Sequence, residues 1–325
     1  MRIGVIGPQE PDNFADNICN SLTAMGVDNV RLGAAQGQPR SARVAAALDV
    51  ARRSTRIDER LQRRVARYAL ERECTAVLTV EGSTSPAVVS LLRSSGVSVA
   101  LWFPDHIANL GRLRMLLAPY TAMFFKEPRL VDRLTATLGV PAYYLPEACN
   151  PRWHQSTELQ GIEPVVVVAG NMYPSRLLLV GRLLRAGVPL VLYGGGFPRW
   201  VIDHPALPLH TGRYIVRQEK ANIFRRAAAV LNNLHPGEVD GVNCRLFEAT
   251  GSGAVVLAED RPVLSSLFES DELFAWSTFD ELVDRARTAV TDAGSFAAVG
   301  DRAAQRAHRD HTYEQRLATI IQHLV

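Results

Sequence analysis

Short apolar runs recur along the whole chain, each followed by a longer stretch in which apolar residues return at helical spacing. That alternation is the pattern of parallel sheets covered on both faces by helices, because strands buried on two sides read as continuous apolar runs. Strands are expected at Arg2–Gly7, Ala76–Val80, Val97–Trp102, Ala122–Phe125 and Ala142–Leu145, and in a second series at Val165–Ala169, Leu190–Tyr193, Ala229–Asn232 and Ala254–Leu257. At 325 residues the chain exceeds the usual single core, and its 47% apolar content is enough for two. The polar, proline-broken stretch Leu145–Pro164 lies between the series, so the expected domains are 1–150 and 164–310, a linker at 151–163, and a terminal amphipathic helix at 311–325. The expected fold class is α/β, two doubly wound Rossmann-like domains facing across a cleft, with ligands at the carboxyl ends of the strands.

Composition removes several classes of function. The opening MRIGVIGP is unlike a signal peptide, and no apolar stretch approaches the length of a membrane span, so a cytoplasmic location is expected. Cys19, Cys74, Cys149 and Cys244 lie too far apart for a zinc ribbon or a disulfide framework. A net charge of +3 does not argue for nucleic acid. No D-x-D triplet occurs to hold a divalent cation on a diphosphate, and no bound metal or permanent cofactor is expected. No G-x-G-x-x-G follows a strand, and Gly194-Gly195-Gly196 leads into FPRW rather than a helix, which weakens a dinucleotide-binding oxidoreductase reading.

The stretch DGVNCRLFEATGSGAVVLAED, 240–260, carries more chemistry. A loop rich in Pro and Gly precedes a short helix expected to start near Val242 or Asn243 with Asp240 as its N-cap. Free amides and the positive dipole end of such a helix make a site for a diphosphate. Arg245 adds a fork of donors suited to phosphate oxygens, and Glu248 could accept hydrogen bonds from the vicinal hydroxyls of a ribose. The plainer reading keeps Asp240 as a cap and Arg245–Glu248 as an i,i+3 surface pair.

Those residues resemble the glycosyltransferase group 1 motif, in which two acidic residues eight positions apart flank the start of a helix. More closely, AAAVLNNLHPGEVDGVNCRLFEATGSGAVVLAED and the terminal DHTYEQR resemble the spore-maturation (CgeB-like) glycosyltransferases, as do VVVVAGNMYPSR and VPLVLYGGGFPRW. In the first half VEGSTSP, VALWFPDH, MFFKEPRLVDRL and GVPAYYLPEACNPRWH are a looser match. The resemblance implies a GT-B fold and transfer of a sugar from a nucleotide-diphosphate sugar to an acceptor hydroxyl, the acceptor being unknown. It implies that Glu248 holds the ribose, that Asn243 and Arg245 sit near the diphosphate, that Arg176, after Gly170 and Asn171, adds a cation to the same phosphates, and that Tyr193 and Gly194 line the nucleoside pocket. Asp240 departs from the more frequent Glu at the first acidic position, which puts its contact with the transferred sugar in question.

A general base, where one is used, must come from the first half. Asp105 is the first choice, with Glu10 and Glu81, also at strand ends, behind it; each could equally cap a helix, and His106 is a substitute base. Arg40–Arg72 holds ten arginines against four acidic residues, and Ile57, Leu61, Val65 and Tyr68 recur there at helical spacing. That reads as a surface helix packed by its apolar stripe, or as a face for an anionic acceptor or a membrane surface, giving a location peripheral to the inner membrane face. A GT-B-like nucleotide-binding or scaffold protein without transfer activity is the alternative to an enzyme.

Overall fold

The computed structural model describes residues 1–35, 50, 54–105, 114–155 and 161–325. The chain forms two compact units, Met1–Pro146 with Tyr313–Val325, and Glu147–Thr312.

The first unit is built on β1 (Arg2–Ile6), β2 (Asp28–Gly33), β3 (Ala76–Thr79), β4 (Ser98–Phe103), β5 (Ala122–Phe125) and β6 (Ala142–Tyr144). All pair in parallel, in the order β2-β1-β3-β4-β5-β6. The helices α1 (Phe14–Ala24), α2 (Thr55–Glu71), α3 (Pro86–Ser94) and α4 (Pro128–Leu138) connect them. Their ends follow local chemistry: Asn13 caps α1 by accepting from the Asp16 amide, Ser85 caps α3 just ahead of Pro86, and Gly139 closes α4 at φ 62°. On one face Val77, Val99, Leu101 and Phe125 bury against Ala66, Ala69, Val88 and Leu92. On the other, Trp102 lies edge-on to Phe14 and to Tyr313, the first residue of the terminal helix 313–322. β2 escapes sequence reading because DNVRLG is a mostly solvent-facing edge strand with only Leu32 fully buried.

The register of α2 differs from the expected apolar stripe. Its buried residues are Gln62, Ala66 and Ala69, whereas Ile57 and Tyr68 are exposed. Two alanines let the helix approach its neighbours closely. Gln62 is satisfied there, donating to Asp58 Oδ2 and the Ser83 carbonyl and accepting from the Ser85 amide.

The second unit contains β7 (Glu163–Ala169), β8 (Leu190–Tyr193), β9 (Ala227–Asn232), β10 (Val256–Glu259) and β11 (Phe274–Trp276), parallel in the order β11-β10-β9-β7-β8. Between them run α5 (Pro174–Arg185), α6 (Arg217–Arg226), α7 (Cys244–Gly251), α8 (Leu264–Leu267), α9 (Phe279–Thr291) and α10 (Ala297–Asp310). Val166, Val168, Leu192 and Leu231 form a core with Leu177, Val180, Leu282 and Ala286. β11 is a three-residue edge strand, too short to carry a periodic signal. In each sheet the chain reverses its direction of growth once, between β1 and β3 and between β7 and β9; loops leaving such a switch point diverge and leave a crevice.

The four cysteines are free thiols. Burial pushes the Cys19 thiol up to about 11, which makes it an inert core residue.

Candidate nucleotide-binding site

The second sheet's switch point lies where β7 and β9 end. β7 leaves the sheet at Gly170, φ 111°, and the chain enters α5 through Pro174. Arg176, 4% exposed, is therefore carried beneath the switch point. Its Nε donates to Asn233 Oδ1 at 2.9 Å, just past β9, and Nη1 donates to the Asn171 carbonyl at 2.9 Å. Its guanidinium lies 4.5 Å from the Tyr173 ring centre, and Asn233 Nδ2 donates to the Tyr173 hydroxyl at 3.1 Å. Every one of these partners is neutral. Burial, then the neighbouring Arg245, pull the Arg176 pKa down to about 10, which leaves it a cation at neutral pH.

Arg245 arrives from α7. A Cβ placed on Gly170 would stand 2.7 Å from one terminal nitrogen of Arg245 and 3.1 Å from Nη1 of Arg176, so the two guanidinium groups converge on the bare backbone of Gly170. Arg245 Nε is buried and makes no hydrogen bond among the described residues. Glu238 lies near enough to offset part of the Arg176 charge, but no carboxylate among the described residues bonds to either guanidinium, and two such cations repel each other, an arrangement that a bound polyanion relieves.

The N-cap of α7 is Asn243, φ −105° and ψ 168°, and its side chain makes no capping bond. Asp240 is not the cap. It sits three residues earlier, buried in the bend before the helix, because extended backbone at Asn243 delays the first helical residue to Cys244. The first-turn amides of α7 thus receive no capping bond from the Asn243 side chain, and Asn243 Oδ1 is itself buried without a partner among the described residues.

Glu248 lies one turn further on and is 7% exposed. Its Oε1 is 2.7 Å from Nζ of Lys220, on α6, and both side chains are buried. The i,i+3 surface pair of Arg245 with Glu248 is thereby excluded: the arginine faces Gly170 and the carboxylate faces Lys220. One carboxylate oxygen is engaged; a carboxylate offers about four lone-pair sites, so acceptor capacity remains.

Tyr193 ends β8 half-buried, and Gly194 follows at φ 130°. A Cβ on Gly194 would lie 2.5 Å from the Gly170 carbonyl oxygen, so both turns require glycine to pass so closely. The Gly170 amide donates to the Tyr193 carbonyl and the Gly194 amide to that of Arg213, each at 2.9 Å. The second unit therefore gathers Gly170, Arg176, Gly194 and Arg245 around one spot, with Asn171 on the turn that holds Arg176 and Asn243 and Glu248 on the same helix as Arg245. Tyr173, Asn233 and Lys220 belong to the same surroundings and carry no motif that marks them in sequence. After Gly196 the chain makes turns and a short 3-10 segment, Leu207–Leu209, before α6, so the glycine triplet opens no dinucleotide-binding helix.

In the first unit Glu10, Glu81 and Asp105 follow β1, β3 and β4, three adjacent strands. Glu10 is exposed and accepts from Asn13 Nδ2 at 3.0 Å, bracing the cap of α1. Glu81 accepts from the Ala35 amide at 3.1 Å and from Ser83 Oγ at 3.3 Å, tying the segment after β2 to that after β3. Asp105 is exposed, and His106 lies outside the described residues.

Residues 176–322 match the family described as glycosyl transferase-like. The whole fold is similar to that of a sucrose-phosphate synthase from Thermosynechococcus elongatus, at 13% identity and TM-score 0.70, over 99% of this chain and 98% of that one. A glycosyltransferase involved in avilamycin A biosynthesis aligns at 14% identity and TM-score 0.66, over 100% and 97% of the two chains. Anabaena HepE in complex with UDP aligns at 11% and 0.62, over 99% and 100%. Comparison with curated protein sequences gives no significant match. The fold is α/β with two parallel-sheet, Rossmann-like halves of GT-B type, and the matched domain within it marks a glycosyltransferase. No helix among the described residues is long and apolar enough to cross a membrane.

Proposed function

We propose that this glycosyltransferase takes its sugar from a nucleoside diphosphate sugar, with the diphosphate seated on Arg176, Arg245 and the first-turn amides of α7, and the ribose against Glu248. The observation that carries the reading is the convergence of two guanidinium groups on Gly170, neither bonded to a carboxylate among the described residues. UDP in the Anabaena HepE structure supports the same class of donor. Breaking the anomeric bond leaves a diphosphate anion and an oxocarbenium-like sugar, so charge placed on the leaving group lowers the barrier. Two fixed cations and a helix dipole supply it from the protein alone, and we propose a metal-independent reaction. Where the transfer uses a general base, we retain Asp105, Glu10 and Glu81, in that order, as its candidates. The spore-maturation subgroup remains our assignment within the glycosyltransferases, on the motifs of residues 165–176 and 227–260.

UDP should raise the melting temperature by mass action. Arg245→Gln should weaken UDP binding about 10- to 100-fold, the worth of one charge-assisted contact of about 1.5–3 kcal/mol, measured by titration calorimetry. The unliganded variant should melt no lower than the parent, because the substitution also removes a repulsion. Affinity unchanged by that substitution rules out Arg245 as a phosphate contact.

The exposed Arg56, Arg60, Arg63, Arg64 and Arg67 of α2 we assign to an anionic acceptor or lipid surface. Sedimentation with vesicles containing phosphatidylserine, and none with phosphatidylcholine alone, is the expected result for the lipid form of that assignment.

A further inference from the structure

Of 36 basic residues only Lys126 and Lys220 are lysines. Both are buried. Every other cation of this chain is arginine, buried Arg176 and Arg225 included, so a lysine at a buried position departs from the chain's habit and places a compact ammonium where a guanidinium fork is otherwise used. Lys220 is the fourth residue of α6, and its ammonium meets Oε1 of Glu248 at 2.7 Å with both side chains nearly closed to solvent. A buried ion pair is poor evidence of a stabilising device, since desolvation offsets most of the attraction. Its presence here calls for another role.

We infer that Lys220 is a positioning residue: it fixes one carboxylate oxygen of Glu248, so that the remaining acceptor sites face the 2′ and 3′ hydroxyls of the donor ribose. The inference rests on the reading of Glu248 as the ribose contact and adds the group that prepares it. The physical case has two parts. A carboxyl group buried without a cation is driven toward its neutral form, which has lost half its capacity to accept from a diol. An ammonium is a point charge that takes one oxygen, whereas a guanidinium at the same place would span both oxygens and compete with the diol.

The test is the ratio of dissociation constants for a 2′,3′-dideoxynucleoside diphosphate and its parent, measured at pH 6 and pH 8 with whichever of UDP and ADP raises the melting temperature more. Pyrophosphate serves as the ribose-free control. The unaltered protein should prefer the diol at least about tenfold at both pH values, the order expected when a buried acceptor loses a hydrogen bond. In Lys220→Met the preference should collapse toward unity at pH 6 and return in part at pH 8. The sign follows from the missing cation, whose loss favours the protonated carboxyl at low pH; because a His154 ring nitrogen lies within 4.8 Å of a Glu248 carboxylate oxygen and could supply the lost charge at pH 6, the comparison is made in a His154→Gln background as well. Lys220→Arg should keep the fold and still lose the preference at both pH values. Pyrophosphate affinity should be the same, within about threefold, in every variant.

Lys220→Met with the parent's preference at both pH values overturns the inference and leaves the ribose contact standing. So does full rescue by Lys220→Arg, which would reduce the lysine to a generic structural cation. No preference in the unaltered protein, or no binding of either nucleotide, overturns the ribose contact itself and the inference with it. Should Lys220→Met fail to fold, Lys220→Gln, which keeps a hydrogen-bond donor and drops the charge, takes its place with the same expected pH dependence.

Discussion

Glu248→Ala is expected to remove the stabilisation that UDP confers and also to destabilise the unliganded protein by about 3–5 kcal/mol, because it removes one partner of a buried ion pair. For a unit of this size that corresponds to a fall in melting temperature of about 6–20 °C. The two consequences have separate origins and can be pulled apart. In the double variant Lys220→Met, Glu248→Leu both charges of the pair are removed together and apolar atoms fill the space, so most of the stability should return. UDP binding should not return, since the acceptor for the ribose is gone. Calorimetric melts of the three proteins with and without UDP make the comparison. A double variant that regains both stability and nucleotide binding would show that Glu248 has only a structural role.

The second large effect is expected at Gly194. Its φ of 130° is a conformation that side chains rarely adopt, and a Cβ there would overlap the Gly170 carbonyl oxygen. Backbone strain of about 1–3 kcal/mol and a similar overpacking term make Gly194→Ala about 2–6 kcal/mol less stable. The strain falls on the turn against which Arg245 lies, so UDP affinity should drop with stability. Gly196→Ala, two residues on, is the control: a Cβ there meets nothing within 4 Å, and the change should stay within about 0.5 kcal/mol by urea unfolding. Equal losses at the two positions would contradict the account of the turn.

The buried strands were legible in sequence because burial on two faces leaves an uninterrupted apolar run, as in Val165–Ala169 or Ala122–Phe125. The edge strands β2 and β11 were not, since one is largely solvent-facing and the other is three residues long. Along α2 the spacing pointed to Ile57, Leu61, Val65 and Tyr68; Val65 packs on the core, but the fully buried seam runs through Gln62, Ala66 and Ala69. Hydrophobicity favours large side chains, whereas close approach selects small ones, and only the partner surface decides between them. In the candidate site, residue types announced Arg245 and Glu248, but not what each would face. The cap of α7 fell on Asn243 rather than Asp240 because local backbone geometry, not residue preference, sets where a helix begins. Lys220 lies 28 positions before Glu248 and Asn233 lies 57 after Arg176; no local pattern links either pair, and only the order of strands in the sheet brings them together.

The most direct measurement is a crystal structure of the unaltered protein with UDP. The account predicts diphosphate oxygens within hydrogen-bond distance of both Arg176 and Arg245 above Gly170, with the ribose hydroxyls on Glu248. A nucleotide bound elsewhere, or one whose diphosphate leaves Arg245 uncontacted while the ribose points away from Glu248, would contradict it.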